Sequence, residues 1–541
     1  MPTPKPKVPK NAASAAGRLI PPKDGAVVRM YRIGHGDCFL LAFDGKTAGR
    51  PVYVLIDCGY KPGSPDKIVR PARKNVRDIT ASIRAATGGE IDVAIITHEH
   101  QDHVNGITEE NFAGITIKET WLAWTENPDD DVANALRERF EDKLLGLMAA
   151  RNRLAAGSQA KKLQGVEAEA DDKAVEDIDE FLAFELGGVE TSFNATAATA
   201  MLGADGKPKV SSNKQSMLVF KKRASEGVKY LRPHEKIHAL PGAKNARVFA
   251  LGPPRSEEQI LDVNPVGKEE FHALGTASAA TFFASAFTEP KAGEGKPQLF
   301  HESYGVPLET AFTDPDFGEF FRKYYGSKDA AAVAKPDARP PAKEVPGDAP
   351  WRRIDDEWLF SALQLAIEVN NATNNTSLVL AFELGKEGKV LLFAADAQRG
   401  NWISWTKGSW KDGDKQITAK DLLGRTVLYK VGHHGSHNAT LNGKISDSYA
   451  NLNWMGQGDQ AREFTAMITA VRAWAETQKG WDHPLKAIKD ALLKKCSGRV
   501  FQTDTDFDQM QKTVGESQAH WDKFKSRVTG DTLYFDYQIN A

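Results

Sequence analysis

The stretch Ile95–His103, IITHEHQDH, most constrains this chain, because four metal-ligating side chains, His98, His100, Asp102 and His103, fall within six residues at the end of the apolar run Ile91–Ile96. An apolar run bounded by polar residues reads as a buried strand, and side chains two apart on an extended backbone share a face, so His98 and His100 can converge on one ion. Asp102 and His103, one turn further on, are placed to hold a second ion beside it. Imidazole and carboxylate suit zinc first and manganese or iron next, and two such ions a few ångström apart make a hydrolytic centre. A solvated polar loop is the plainer alternative, but this density of ligands rarely arises by accident.

A pair of ions needs a bridging carboxylate and a further ligand from elsewhere. Lys389–Asp396, KVLLFAAD, is a second apolar strand ending in a carboxylate, and Val427–Ser436, VLYKVGHHGS, is a third ending in two histidines. A lone Asp at a strand end is more often a turn or a cap; between two histidine motifs Asp396 becomes the bridging candidate. Adjacent side chains at a strand end point to opposite faces, so one of His433 and His434 should ligate. We assign His434 to the second ion with Asp102, His103 and Asp396, and His433 to substrate contact or proton transfer, with the reverse assignment left open. Ser436 sits beside them as a substrate-contacting hydroxyl.

The chain has 541 residues, too many for one compact core, since domains usually run to roughly 100–250 residues. With 70 Lys plus Arg against 72 Asp plus Glu, the net charge of −2 exerts no global pull on nucleic acid, so a polyanion would need local patches. The stretch Lys221, Lys222, Arg223, Lys229, Tyr230 and Arg232 is one such patch. Three cysteines, Cys38, Cys58 and Cys496, form no CxxC pair, which argues for a reducing compartment. No apolar run approaches the roughly 18–20 residues of a membrane helix, so a cytoplasmic location without membrane association is expected. The proline- and lysine-rich Met1–Lys10 heads a tail, 1–25, expected to be disordered.

Short strands are expected at Val27–Arg32, Phe39–Phe43 and Tyr53–Ile56 with a helix at Arg77–Ala86, and again at Leu378–Phe382, Val390–Ala394, Thr426–Lys430 and Phe464–Ile468 with a helix at Leu485–Lys494. Sheets in both halves with helices outside imply a four-layer αββα sandwich, an α/β fold. Between the halves, Val132, Leu136, Phe140, Leu144, Leu147 and Met148 form one apolar helical stripe. Glu176–Leu186, with Ile178, Phe181, Leu182 and Phe184, is a second helix across the polar connector Gly157–Asp172. Further on, Phe282, Phe283, Phe287, Phe320, Phe321, Tyr324 and Tyr325 mark an aromatic-rich segment that ends in the linker-like Ala330–Pro350.

These motifs, in this order, resemble the metallo-β-lactamase superfamily, in particular the branch typified by the soluble domain of the DNA-uptake competence protein ComEC. The resemblance is carried by the turn Gly34–Cys38 (GHGDC), the strand end Val54–Gly59 (VLIDCG), the HxHxDH motif, Arg247–Pro254 (RVFALGPP), Asn374–Ser377 (NNTS), the Asp396 strand, HHGS, the pair His483-Pro484 and Arg499–Asp504. It covers one domain, 26–541, interrupted by two mainly helical insertions at about 108–227 and 256–359, which read as lids or as docking surfaces for a protein partner. One departure touches the metal site. Many superfamily members have a ligating histidine upstream of the bridging Asp, where this chain has Asn375 and Ser377, so the first ion would rest on His98, His100 and Asp396 and keep an open position.

The resemblance gives the remaining residues roles. Asp57 would orient the ligand loop as a buried carboxylate, the alternative being a turn Asp, and Asp37 is divided between the same two readings. Asn375, Ser436, His437 and His483 would contact substrate, with surface exposure the alternative for His437 and a structural histidine the alternative for His483. Two divalent ions, zinc first and manganese second, would acidify a bridging water for attack on an ester, with Asp102, His433 and Asp57 assisting. The resemblance implies a phosphodiesterase, foremost a nuclease on DNA. A hydrolase of a smaller ester, such as a phosphocholine-type diester or a lactone, is the second reading. A partner-controlled effector or regulatory subunit of a bacterial defence system is the third.

Overall fold

The computed structural model describes residues 17–64, 76–163, 169–187, 210–271, 308–313, 318–319, 365–366, 369–478 and 482–541. The tail Met1–Lys10, the aromatic residues Phe282, Phe283, Phe287, Phe320, Phe321, Tyr324 and Tyr325, the linker Ala330–Pro350 and the middle of the Gly157–Asp172 connector lie outside them. The chain divides into two compact units, one of residues 1–141, 182–274 and 368–541, the other of residues 142–181 and 275–367.

The first unit carries two large mixed sheets. The first half of the chain supplies β1 (Ala26–Tyr31), β2 (Phe39–Phe43), β3 (Val52–Ile56), β4 (Glu90–Ile95), β5 (Thr116–Ala123) and β6 (Ala224–Leu231). Next come β7 (Ile237–Ala239), β8 (Ala246–Gly252), β9 (Val379–Leu384) and β10 (Lys389–Phe393), then a hairpin of β11 (Ser409–Asp412) and β12 (Lys415–Thr418). The last are β13 (Thr426–Lys430), β14 (Thr465–Ile468), β15 (Val500–Gln502), β16 (Val528–Gly530) and β17 (Tyr534–Ile539). One sheet runs β16-β17-β1-β2-β3-β4-β5-β6 and the other β15-β14-β13-β10-β9-β8-β7. Both follow the same rule: β1-β2-β3 and β8-β9-β10 pair antiparallel, while β3-β4-β5 and β10-β13-β14 pair parallel.

The strands are apolar on both faces because both faces are covered. Leu41, Val54 and Ile95 of the first sheet share one buried cluster with Phe382, Phe393 and Leu428 of the second. Phe43 stacks on Phe382 with ring centroids 5.6 Å apart, and Phe39 meets Phe393 edge-on at 5.4 Å. Alternate residues such as Leu40 and Leu55 face the other way, onto Ile79 and Ile83 of α1 (Val76–Thr87). In the second sheet Leu392 and Tyr429 pack against tryptophans of a helix at Arg399–Trp405 and apolar residues of helices at Ala419–Gly424 and Lys486–Lys495.

The interruptions differ from the expectation in detail. Thr116–Ala123, inside the stretch read as a helical insertion, is a strand of the first sheet, paired between β4 and the edge strand β6. The expected helix is α3 (Asp131–Leu163), but Val132 is 43 % exposed and Ala133 takes its place among the buried residues, with Leu136, next to Trp124 and Ile260. Residues 17–25 were expected in a disordered tail, yet Leu19 is buried and donates its N–H to the Ala86 carbonyl at 3.0 Å. Within the second unit, Arg151 of α3 makes two parallel bonds of 2.8 and 2.7 Å to Asp179 of the helix Glu169–Leu186, both residues buried.

Cross-strand partners Arg29 of β1 and Asp536 of β17 form a second bidentate pair, at 2.7 Å for both bonds, with the guanidinium 3.5 Å from the Tyr534 ring centroid. Removing one partner of a buried pair strands the other charge. Arg29→Met is therefore expected to destabilise the protein by about 3–5 kcal/mol, and Arg29→Met with Asp536→Leu to recover most of that loss. Denaturant unfolding of both variants checks it; equal losses in the single and double variants would show that charge burial is not the cost.

Candidate metal centre

The candidate ligands occupy the ends of parallel strands, where backbones of both sheets leave their ladders. Asp57 follows β3, His98 follows β4, Asp396 follows β10, and His433 and His434 follow β13. The carboxyl end of parallel strands is where open α/β sheets place their sites. Four non-glycine residues here have left-handed backbone, Asp57 at φ 54°, Ala395 at 47°, His433 at 38° and His434 at 53°. Such conformations cost about 1–3 kcal/mol each and persist where surrounding structure enforces them, typically at functional sites. Gly59 matters for close approach, since a Cβ there would overlap the His103 backbone and its bare Cα lets α2 (Gln101–Val104) lie against the end of β3.

Four imidazoles are each held by one ring nitrogen and turned inward by the other. His98 Nδ1 lies 3.2 Å from the Thr97 hydroxyl and 3.3 Å from that of Ser377. His100 Nε2 bonds Glu185 at 2.9 Å, His103 Nδ1 bonds Asp57 at 2.8 Å, and His434 Nδ1 bonds the Thr469 carbonyl at 3.0 Å. Of the opposite nitrogens, His98 Nε2 is 3.1 Å from His100 Nδ1, and His434 Nε2 is 3.0 Å from Asp102 Oδ2. Around Asp396 Oδ2 stand His103 Nε2 at 3.2 Å, His434 Nε2 at 3.6 Å, His433 Nε2 at 3.9 Å and His98 Nε2 at 4.0 Å. An outer partner that fixes the tautomer and aims the ring is the usual support of a metal-ligating histidine.

Asp102, His103, Asp396 and His434 are all buried, and each offers a ligand atom within 4.8 Å of the others, so they could hold a metal ion. Asp102 Oδ1, Asp396 Oδ1 and His103 Nε2 are buried there without a hydrogen bond, which an ion would remedy. His98 and His100 face one another, but with Asp396 they form no ligand group of comparable tightness among the described residues. A second cluster, Asp37, Asp57 and His103, is already served: Lys430 Nζ lies 2.5 Å from Asp37, and the Asp57 carboxylate accepts from Thr97 N at 2.8 Å, Thr97 Oγ1 at 2.6 Å and His103.

The electrostatics suit cation binding. Burial, followed by the charges of His103 and His100, pushes the His98 imidazole well below its ordinary value, so it is neutral as a ligand must be. Burial raises the Asp102 carboxyl, but the His434 bond and the His103 charge outweigh it and hold the group well below the carboxylate range. His103 is pushed up, against burial, by Asp396, Asp37 and Asp57, so an ion binding there displaces a proton.

The other expected residues divide. The alternation argument for the paired histidines does not apply, because β13 ends at Lys430 and the turn Gly432–Gly435 brings both rings to Asp396. They differ in access: the His433 side chain is 17 % exposed, against 1 % for His434. Asn375, expected to contact substrate, is fully buried and spent on backbone: it donates to the carbonyls of Gln259, Ile260 and Asp262 and accepts from Gln398 N. Ser377 carries more of the site, accepting from Asp396 N at 3.1 Å. His483 joins the cluster, 5.5 Å from His35 and 5.4 Å from His433 between ring centroids, while Ser436 is buried just past the turn. His437 is exposed and its Nε2 meets Asn264 at 3.4 Å.

Sequence reasoning missed Lys430, Thr469 and Glu185. A lysine inside the apolar run VLYKV was a readable signal, since lysine is almost never fully buried unless paired. Glu185 lies 85 residues from His100 in sequence and no motif marks it. The basic stretch is largely committed: Lys221 pairs with Glu126, Arg223 with Glu109, Lys229 with Glu119 and Arg232 with Asp130. Among the described residues no helix is long and apolar enough to cross a membrane. In comparison with known proteins, the chain matches no family model and no curated protein.

Metal content separates the paired histidines. His434→Ala and Asp396→Ala are each expected to lower metal affinity about tenfold or more, the scale reached even when outer partners are lost. His433→Ala should leave it near wild type. Elemental analysis after dialysis against zinc reads this directly, and equal losses at His433 and His434 would place both on the metal.

Proposed function

We propose that this chain is a metal-dependent hydrolase of phosphodiesters with a metallo-β-lactamase-like αββα sandwich. The observation that carries the reading is Asp396 Oδ2, one carboxylate oxygen with four imidazole nitrogens within 4.0 Å, flanked by unsatisfied buried ligand atoms. Charge supports cation binding. Asp37, Asp57, Asp102, Asp396 and Glu185 are all buried, and Lys430 and Lys61 are the buried lysines near them, so the carboxylates outnumber the lysines. Buried charge of this size without a counterpart is prohibitively costly.

The repeated antiparallel–parallel pairing, the motif order and the ends of β3, β4, β10 and β13 support the superfamily reading together. When bound, the ions would supply Lewis acidity to the ester oxygens and lower the pKa of a water. The chain's own residues divide the rest. Asp57 keeps the His103 proton on Nδ1, and Ser377 holds both the Asp396 backbone and the His98 ring. His433 has the access to meet substrate, and burial pushes its imidazole down to about 4, so it is neutral near pH 7 and can accept a proton or donate a hydrogen bond.

Nucleic acid is the first substrate class because of the ComEC-like motif order. A small diester is the second reading, favoured by the ion pairs that occupy Lys221, Arg223, Lys229 and Arg232. Zinc- or manganese-loaded protein should be incubated with plasmid, linear and single-stranded DNA, RNA and bis(p-nitrophenyl) phosphate, with Asp396→Ala as control. At least one diester should be cleaved, with activity lost to a chelator and reduced to background in Asp396→Ala. Nucleic-acid cleavage that falls steeply with salt supports a nuclease. Hydrolysis of the small diester alone supports the second reading, and inert loaded protein overturns both.

A further inference from the structure

We propose that Glu185, in the last turn of the helix Glu169–Leu186, is a positioning residue of the metal centre: its carboxylate holds His100 so that His100 Nδ1 and His98 Nε2 face one ion. This rests on the metal reading above and adds a residue to it that no motif marks.

The geometry carries the role. Glu185 Oε1 lies 2.9 Å from His100 Nε2, and His100 Nδ1 lies 3.1 Å from His98 Nε2. Two nitrogens at about 2.0–2.1 Å from a tetrahedral zinc stand roughly 3.3 Å apart, so the observed pair is already close to ligand spacing. The two nitrogens of an imidazole lie on opposite flanks of the ring, so Glu185 cannot share the ion that Nδ1 faces. It acts through His100, fixing the proton on Nε2 and making Nδ1 more basic, as carboxylate partners of ligating histidines do.

The carboxylate is itself held in place. Glu185 is buried, and Asn370 Nδ2 donates to Oε1 at 3.3 Å. The Phe184 ring lies 4.8 Å from the His100 ring, with Lys61 Nζ 3.3 Å from its centroid on the cation–π side. The end of the helix is pinned by the start of the next, Ser212–Arg223: Asn213 Nδ2 donates to the carbonyls of Phe184 at 2.9 Å and Glu185 at 3.0 Å, and Ser212 Oγ to that of Leu186 at 3.1 Å. Carbonyls at a helix end have no partner within the helix, so these bonds fix where the last turn stops. A segment read from sequence as a lid or a docking surface thus supplies a fixed part of the centre.

The test uses the full chain and zinc. Equilibrium dialysis at buffered zinc concentrations should show Glu185→Gln weakening one ion about 10–100-fold while leaving the other unchanged, the size expected for a lost outer partner. Glu176→Gln, which removes an exposed carboxylate of the same helix that pairs with Lys173, should leave both unchanged. In a His100→Ala background, adding Glu185→Gln should change nothing further. A readout that needs no variant to fold is the imidazole ¹⁵N spectrum of zinc-loaded wild type, where His100 should be protonated at Nε2 and metal-shifted at Nδ1. Wild-type zinc binding in Glu185→Gln, a further loss in the His100→Ala background, or zinc on Nε2 overturns the role of Glu185. Absence of zinc from wild type overturns the metal reading and this inference with it.

Discussion

The buried carboxylate of Asp57 is the interaction on which the centre depends. It has no exposed surface, so its charge must be met by protein donors, and all three come from residues just past the carboxyl end of β4: the Thr97 amide, the Thr97 hydroxyl and His103 Nδ1. Burial still pushes this carboxyl up, with His103 the largest opposing influence. The ligand loop therefore cannot leave the end of β3 without leaving a carboxylate unpaired in the interior, at a cost of several kcal/mol. One contact thus fixes the loop, the His103 tautomer and the direction of the free nitrogen. The left-handed backbone at Asp57 accompanies the turn of its carboxylate towards the loop that follows β4.

What the sequence disclosed followed from periodicity and local density. Strands such as Phe39–Phe43 and Thr426–Lys430 occur with the expected bounds because short, mainly apolar runs flanked by turn residues admit little else. The HxHxDH cluster was legible for the same local reason. The errors came where the outcome was set by distant partners. Thr116–Ala123 alternates poorly and was assigned to an insertion, but it is an interior strand because β4 and β6 flank it. Asn375 looked like a substrate contact by its place in a motif; it is instead consumed by three carbonyls around residue 260, which only the fold brings near. The opposed directions expected of His433 and His434 assumed a strand that continues past Lys430, and the turn defeats that assumption.

The two sheets contribute unequal halves to one centre, and the chemistry differs between them. The first supplies His98, His100, Asp102 and His103 from the one loop after β4, which local sequence can encode, and Asp57 from the end of the neighbouring strand β3. The second supplies Asp396, His434 and Thr469 from three successive parallel strands, whose spacing is set by the ladder of β10, β13 and β14. Lys430 lies where the halves meet, 2.5 Å from Asp37 of the first and 3.5 Å from Asp396 of the second. Its ammonium is a fixed positive charge inside the acidic cluster, so the two sheets are held in register by charge as well as by the apolar cluster between them.

Core and centre are therefore one object under opposing demands. The apolar cluster favours closing the sheets, while the acidic groups at their carboxyl ends repel one another as they approach. Lys430, and His103 with its proton affinity raised by Asp396, Asp37 and Asp57, relieve part of that repulsion. Ions binding between the sheets would relieve the remainder and displace the His103 proton. An ion that binds the folded chain and not the unfolded one would add stability by mass action, about 2.7 kcal/mol at a concentration one hundred times its dissociation constant. The left-handed backbone at His434, a residue an ion would hold, is tolerable on the same terms.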